Sequence, residues 1–457
     1  MAWGGNDKGV EKWIKQLNEN DPKLKTLHIL SFRRVSPADL KAIFVAVAHN
    51  TTLKELYCSG HALDLAAAEQ LSEALTLNDT LESLNIGNNE LGKNDDIVAI
   101  LCEGLAVNEG LLTLDWENKG LNNSSVQALA KCLKKNTVLK NLNLSRNELD
   151  DDAIQTLVLA LQENETLHSL NLSMNAIGPA GAERLASYIA GNCHLIELDV
   201  SDNALMEGGE TLGASLSNNK SIETLKMTGV TSKLEDLQLP SAAGADSQAT
   251  DVKADESQSA HGNAIAKAVA KALSGNRSLK HLWLDHNHIQ SISLVTLASM
   301  LPQSELIELR LRNNRLDNEG AKALAQSPGK LRHVELGENA IGSEGLGALL
   351  DTSLEYVGLF NNQVGGFGAE PERIPDLSNS KVQTLDIGCN GVTLEDVNAM
   401  IELLLAGGVP DLKLLEMGGN AEDKEMDGWE KSIERLQREK PEIEVAWKRL
   451  KSGEMAQ

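Results

Sequence analysis

Residues 139–149 read LKNLNLSRNEL, and residues 167–177 read LHSLNLSMNAI, 28 residues further on. Both spell Leu-x-x-Leu-x-Leu-x-x-Asn followed by x and an aliphatic residue. The Leu-x-Leu portion has the period of two that sends alternate side chains to one face of a strand. The following Asn sits where the chain must turn, and its amide can bond backbone groups of the coils beside it. The period then changes. In 152–162, Ile154, Leu157 and Leu161 fall at i, i+3 and i+7, the stripe of an amphipathic helix. In 180–190, Ala182, Leu185, Ala186 and Ile189 do the same. One unit is therefore strand, turn, helix, turn, and it cannot bury its apolar face alone. Neighbours must stack into a continuous core.

The pattern extends in both directions. Earlier copies begin at Leu24, Leu53, Leu81 and Leu111, and later ones at Leu195, Ile222, Leu279, Leu306, Leu331, Leu354, Val382 and Leu412. With Leu139 and Leu167 these make fourteen units, and the first seven steps are 29, 28, 30, 28, 28, 28 and 27 residues. The 73 leucines among 457 residues are the inward ladder of one array, not the cores of several domains.

The chain resembles leucine-rich repeat proteins of the ribonuclease-inhibitor-like subclass over about residues 24–420. The tail Asn-x-x-Leu, at Asn50–Leu53, Asn78–Leu81, Asn136–Leu139 and Asn164–Leu167, is typical of intracellular members such as Ran GTPase-activating proteins and NOD-like receptors. The resemblance implies an α/β solenoid, a horseshoe with parallel strands on the concave face and helices on the convex face.

The ends and one interruption stand apart. Residues 1–23 form an N-terminal helical cap, with Val10, Trp13, Ile14 and Leu17 on one face. Residues 421–457 form a C-terminal cap: Trp429, Ile433 and Leu436 line a helix, Pro441 stops it, and Ile443, Val445 and Trp447 alternate as a closing strand. Between Ile222 and Leu279 the spacing is 57 residues, about two periods. There, 240–261 lacks large apolar side chains and reads as a disordered insertion, with the helix resuming at about Asn263. Just before it, KLEDLQLP at 233–240 has three readings: a docked extra strand, a short partner-binding motif or plain loop.

Strand residues that do not point inward form the concave face. In the early and middle units they are small and polar, as in Asn141, Asn143 and Ser145. From the ninth to the twelfth unit they become His281, Trp283 and Asp285; Glu308, Arg310 and Arg312; His333, Glu335 and Gly337; Tyr356, Gly358 and Phe360. The chain has only 13 Trp, Tyr and Phe residues in all, so three on one face form the candidate partner-binding patch. Trp, Tyr and Arg bury large area at small cost in rotamers. Tyr57 with Glu55 is a weaker second candidate. Arg310 and Arg312 are expected to pair with Glu335 rather than to clamp an oxyanion. The run HLWLDHNH at 281–288 invites a metal reading, but His281 and Asp285 face one way while His288 lies past the turn. No metal site is assigned.

Composition sets the class. A net charge of -24 disfavours nucleic acid, which requires clustered Lys and Arg. Five isolated cysteines are no disulfide framework. There is no uninterrupted apolar run of 18 residues and no basic-then-apolar leader. No catalytic or phosphate-loop motif appears, and no cofactor is expected. The reading is a non-enzymatic scaffold or adaptor, monomeric by itself and cytoplasmic, with nuclear or cytoskeletal and ciliary settings open, that holds a protein partner on its concave face. The alternatives are a regulator of a small GTPase, by likeness to Ran GTPase-activating proteins, and a cytoskeletal or ciliary assembly component. Against the first, 421–457 holds ten acidic and eight basic residues rather than an acidic tail.

Overall fold

The computed structural model describes residues 10–191, 193–232, 252–369 and 377–448. They fall into two compact units, one reaching to residue 208 and the other beginning at 209. Each is a solenoid of strand-and-helix coils with one parallel sheet.

The first unit carries β1 (Thr26–His28), β2 (Glu55–Ser59), β3 (Ser83–Gly87), β4 (Thr113–Asp115), β5 (Asn141–Asn143), β6 (Ser169–Asn171) and β7 (Glu197–Asp199). Each pairs in parallel with the next in chain order. The second carries β8 (Thr224–Lys226), β9 (His281–Trp283), β10 (Glu308–Arg310), β11 (His333–Glu335), β12 (Tyr356–Gly358), β13 (Thr384–Asp386), β14 (Leu414–Glu416) and β15 (Glu444–Ala446), again in order. In most strands a buried aliphatic residue lies between two half-buried ones, as the alternation requires. The helices that follow bury the expected stripe: Asp151–Leu161 buries Ile154, Leu157 and Leu161, and begins where the Asp150 side chain accepts the Asp152 and Ala153 N–H groups.

Two ladders of asparagine join neighbouring coils. In the Asn-x-x-Leu tail, Asn78 Nδ2 donates to the Val47 and Asn50 carbonyls, and Asn78 Oδ1 accepts the Leu81 N–H. Asn108, Asn136 and Asn164 repeat this geometry. In the turn after the strand, Asn147, Asn175 and Asn203 each give their amide to carbonyls of their own coil and of the coil before. The turn ladder breaks earlier in the first unit. Asn89 is exposed, and the equivalent place one coil later is Lys119. Lys119 is only 1% exposed, and its ammonium donates to Ser59 Oγ at 2.6 Å and to the Gly87 carbonyl at 3.1 Å.

The helix expected from about Asn263 spans Val252–Leu273, so 252–261, read as the end of a disordered insertion, is helical. Its alanine- and lysine-compatible composition carries the helix back beyond the apolar stripe. Residues 240–251 and the segment 233–240 lie outside the described residues. β8 nevertheless pairs directly with β9, Thr224 opposite His281, so no strand lies between them. The unit after β12 departs from strand-turn-helix: its described residues hold only a short 3-10 turn, Phe367–Ala369, in a glycine-rich stretch that disfavours α-helix.

At the ends, Leu17 is fully buried on the helix Glu11–Asn18, while Trp13 and Ile14 are half-buried. Trp429 and Trp447 stack at 5.8 Å and are both buried. Cys58, Cys102 and Cys132 are buried, whereas Cys193 and Cys389 are half-buried.

Candidate protein-binding face

The second unit brings the sequence-selected residues onto one sheet face because its strands lie in parallel register. Glu308 stands opposite His281 and His333, and Arg310 stands opposite Trp283 and Glu335. His333 stands opposite Tyr356. Their side chains form contacts with one another. The Arg310 guanidinium lies 4.4 Å from the Trp283 ring centre, and Lys226 Nζ lies 4.5 Å from it, so one indole carries two cations. The Trp283 Nε1 atom is buried with no hydrogen-bond partner among the described residues. His333 and Tyr356 stack at 4.0 Å with their planes 5° apart. Arg312 lies over Phe360 at 5.5 Å.

The charges are arranged differently from expectation. Arg310 Nε bonds Asp285 Oδ2 at 3.2 Å, and Arg312 bonds Glu338 Oε1 through Nε and Nη2. Glu335 instead accepts the Tyr356 hydroxyl at 3.2 Å and the Gly337 N–H at 3.0 Å. The expected pairing of both arginines with Glu335 is thus replaced by Asp285 and Glu338. Asp285 sits at the end of β9, 4% exposed, where it also takes the Arg312 backbone N–H at 2.6 Å. Glu338 lies past the strand, where the arginine's length reaches. Burial raises the Asp285 pKa, and Arg310 partly offsets it. Burial likewise raises the Tyr356 phenol, helped by Glu335, and lowers the His333 imidazole. The hydrogen bond that Arg312 donates to Glu338 raises the Arg312 pKa.

The three histidines of HLWLDHNH take separate partners. His281 Nδ1 meets Glu308 Oε2 at 2.9 Å, His286 Nδ1 meets Asn313 Nδ2 at 2.7 Å, and His288 Nδ1 meets Thr231 Oγ1 at 3.3 Å. Among the described residues no group of three His, Cys, Asp or Glu side chains could hold a metal ion. Nor is any described helix long and apolar enough to cross a membrane. In the first unit, Tyr57 packs edge-on against His28 at 4.4 Å and meets Ser83 Oγ at 3.2 Å, while Glu55 accepts the Thr26 hydroxyl.

Sequence reasoning passed over three residues of this face: Lys226 on β8, Asp386 on β13 and Glu416 on β14. They occupy the same strand position as Trp283, Arg310 and Glu335, and extending the listing of outward positions by one unit before and two after would have found them.

Residues 135–158, 163–186, 191–209, 306–325 and 330–350 match the family described as Leucine Rich repeat. The chain is a leucine-rich repeat protein. Residues 6–120 of this leucine-rich repeat protein match the TMOD/LMOD Leucine-rich domain. Among solved structures, an internalin (inlF) from Listeria monocytogenes is similar at 15% identity and a TM-score of 0.41, over 98% of this chain and 94% of that one. The TLR13–ssRNA13 complex is similar at 16% identity and 0.45, over 87% and 56%. Leiomodin-1 Actin-Binding Site 2 is similar at 17% identity and 0.24, over 46% and 88%.

Proposed function

We propose that this leucine-rich repeat protein is a non-catalytic scaffold whose protein partner docks on the outward face of β9–β12. One observation carries the reading: Trp283, Arg310, Arg312, Tyr356 and Phe360 are already stacked or ion-paired with neighbours on a half-exposed sheet face. Side chains held in place before binding lose little entropy when a partner arrives. These residue types also dominate the energetics of interfaces. Quantitative affinity capture with wild type and a Trp283→Ala/Tyr356→Ala/Phe360→Ala variant tests it. Loss of about 2 kcal/mol at even one such anchor weakens a partner roughly 30-fold. Equal capture of every partner by both proteins refutes the assignment.

The match of residues 6–120 to the TMOD/LMOD Leucine-rich domain favours a second, cytoskeletal reading. In it the partner is actin, the ligand named for the leiomodin-1 structure. Co-sedimentation with filamentous actin and a pyrene-actin assembly assay decide it, and no effect in either removes it.

A further inference from the structure

Charge along one row of the proposed docking face is segregated. Lys226, Trp283, Arg310, Glu335, Gly358, Asp386 and Glu416 occupy one register position on seven successive strands, β8 to β14. The row begins with two cations flanking the Trp283 ring, of which Arg310 also pairs with Asp285 behind it in the turn. From Glu335 onward its charged members are all carboxylates. Among the described residues no Lys or Arg is ion-paired with Glu335, Asp386 or Glu416. Arg312 is the cation that acts on Asp386 through space, but its hydrogen bonds go to Glu338.

The acidic end is filled at Gly358 and Gly388 and open beside Gly418. Glu335 leans over Gly358, where an added Cβ would lie 2.4 Å from its Oε2. Asp386 accepts the Gly388 N–H at 2.8 Å and stays beside its own strand. Two positions along from Asp386 and Glu416 lie Gly388 and Gly418, and a Cβ built on Gly418 meets nothing within 4 Å. The Phe360 ring stands at the edge of this space, 3.0 Å from a Cβ built on Gly388. A planar guanidinium suits such a place, since it can stack on a ring and bond carboxylates with two N–H groups at once. Burial first, then the neighbouring carboxylates, raise the pKa values of Asp386 and Glu416. Both groups therefore gain from an arriving cation.

We propose that the partner docks across β8–β14 in one orientation, with an acidic side over the Lys226–Trp283–Arg310 cluster and an arginine-bearing side over Asp386 and Glu416. This rests on the reading of the same sheet face as the docking surface, and it adds the partner's chemistry. Adjacent strands are about 4.8 Å apart, so the two poles are roughly 20 Å apart, about six residues of extended chain.

The probe is a fluorescent peptide with three glutamates and three arginines separated by six Gly/Ser residues. Its control has the same composition with the six charges alternating. Anisotropy with the full chain at low salt reads both, and the matched composition cancels general attraction to an acidic protein. The expected result is at least tenfold tighter binding of the block peptide. That preference is lost in Asp386→Lys/Glu416→Lys and reduced in the milder Asp386→Asn/Glu416→Gln, with thermal melting confirming that each variant is folded. Equal binding of the two peptides, no binding of either, or a preference unchanged by both variants overturns the proposal. If the carboxylate variants have no effect while Trp283→Ala/Tyr356→Ala/Phe360→Ala weakens the block peptide, the polarity is wrong and the docking face stands. If none of these variants weakens it, the face falls as well.

Discussion

Replacing Asn203 by alanine tests the ladder that holds the first unit together. Asn203 is fully buried. Its Oδ1 accepts the backbone N–H groups of Asn175 and Ile177, both at 3.1 Å. Its Nδ2 donates to the carbonyls of Leu172 at 2.9 Å and Val200 at 3.0 Å. Alanine leaves the two N–H groups buried without an acceptor. Each such orphan costs about 1–3 kcal/mol, and the weakened carbonyls add to it, so the expected loss is about 3–5 kcal/mol. With a urea slope of about 2–3 kcal/mol per M, the transition of the first unit should fall by roughly 1–2 M. Urea titration followed by hydrogen exchange at Asn175 and Ile177 reads both the size and the place of the effect. Asn203→Asp keeps the acceptor but aims a carboxylate oxygen at the Leu172 and Val200 carbonyls, and should cost at least as much. A midpoint shift below about 0.3 M, with exchange at Asn175 and Ile177 unchanged, would refute the ladder as the source of cohesion.

Lys119 and Asp386 give pH signatures of opposite direction. Burial lowers the Lys119 pKa from 10.5, so the unfolded chain binds the proton more readily. Wild-type stability relative to Lys119→Met should therefore rise as pH climbs from the folded-state pKa toward 10.5, as read by urea midpoints between pH 7 and 10.5. The Asp386 pKa is raised from 3.8, so the folded chain holds that proton more readily. Asp386→Asn, whose amide oxygen still accepts the Gly388 N–H, should stabilise the protein at pH 7, and the gain should shrink as pH falls toward 3.8, measured by thermal melting. In Gly262→Ala the new Cβ would lie 1.9 Å from the Asn287 carbonyl oxygen, and backbone cannot give way as a side-chain end can. A destabilisation of about 2–3 kcal/mol by urea titration is expected.

Much of the architecture was legible because it repeats. Leu142, Leu170 and Leu198 are each the buried centre of a strand, and each is announced by the same local pattern. The C-terminal strand was legible too, since Ile443 and Trp447 must be covered. The helix at Val252 was not. Its early residues show no apolar stripe, so periodicity had nothing to detect there. Lys119 was equally silent, because a lysine in a turn reads as solvated. Only the fold shows that Asn89 is exposed and that the lysine stem can cross the turn to Ser59, 60 residues earlier.

The candidate face divides the same way. Trp283, Tyr356 and Phe360 could be placed together from spacing alone, since position in a unit fixes which way a side chain points. Which charge meets which could not. Arg310 chooses Asp285 and Arg312 chooses Glu338 because register and side-chain reach across neighbouring strands decide it. By itself the sequence determined where the strands lie and which side chains are buried, because burial imposes a period that is written locally. Tertiary structure alone decided the pairing of outward charges. Those side chains answer to neighbours one coil away, and no local period constrains them.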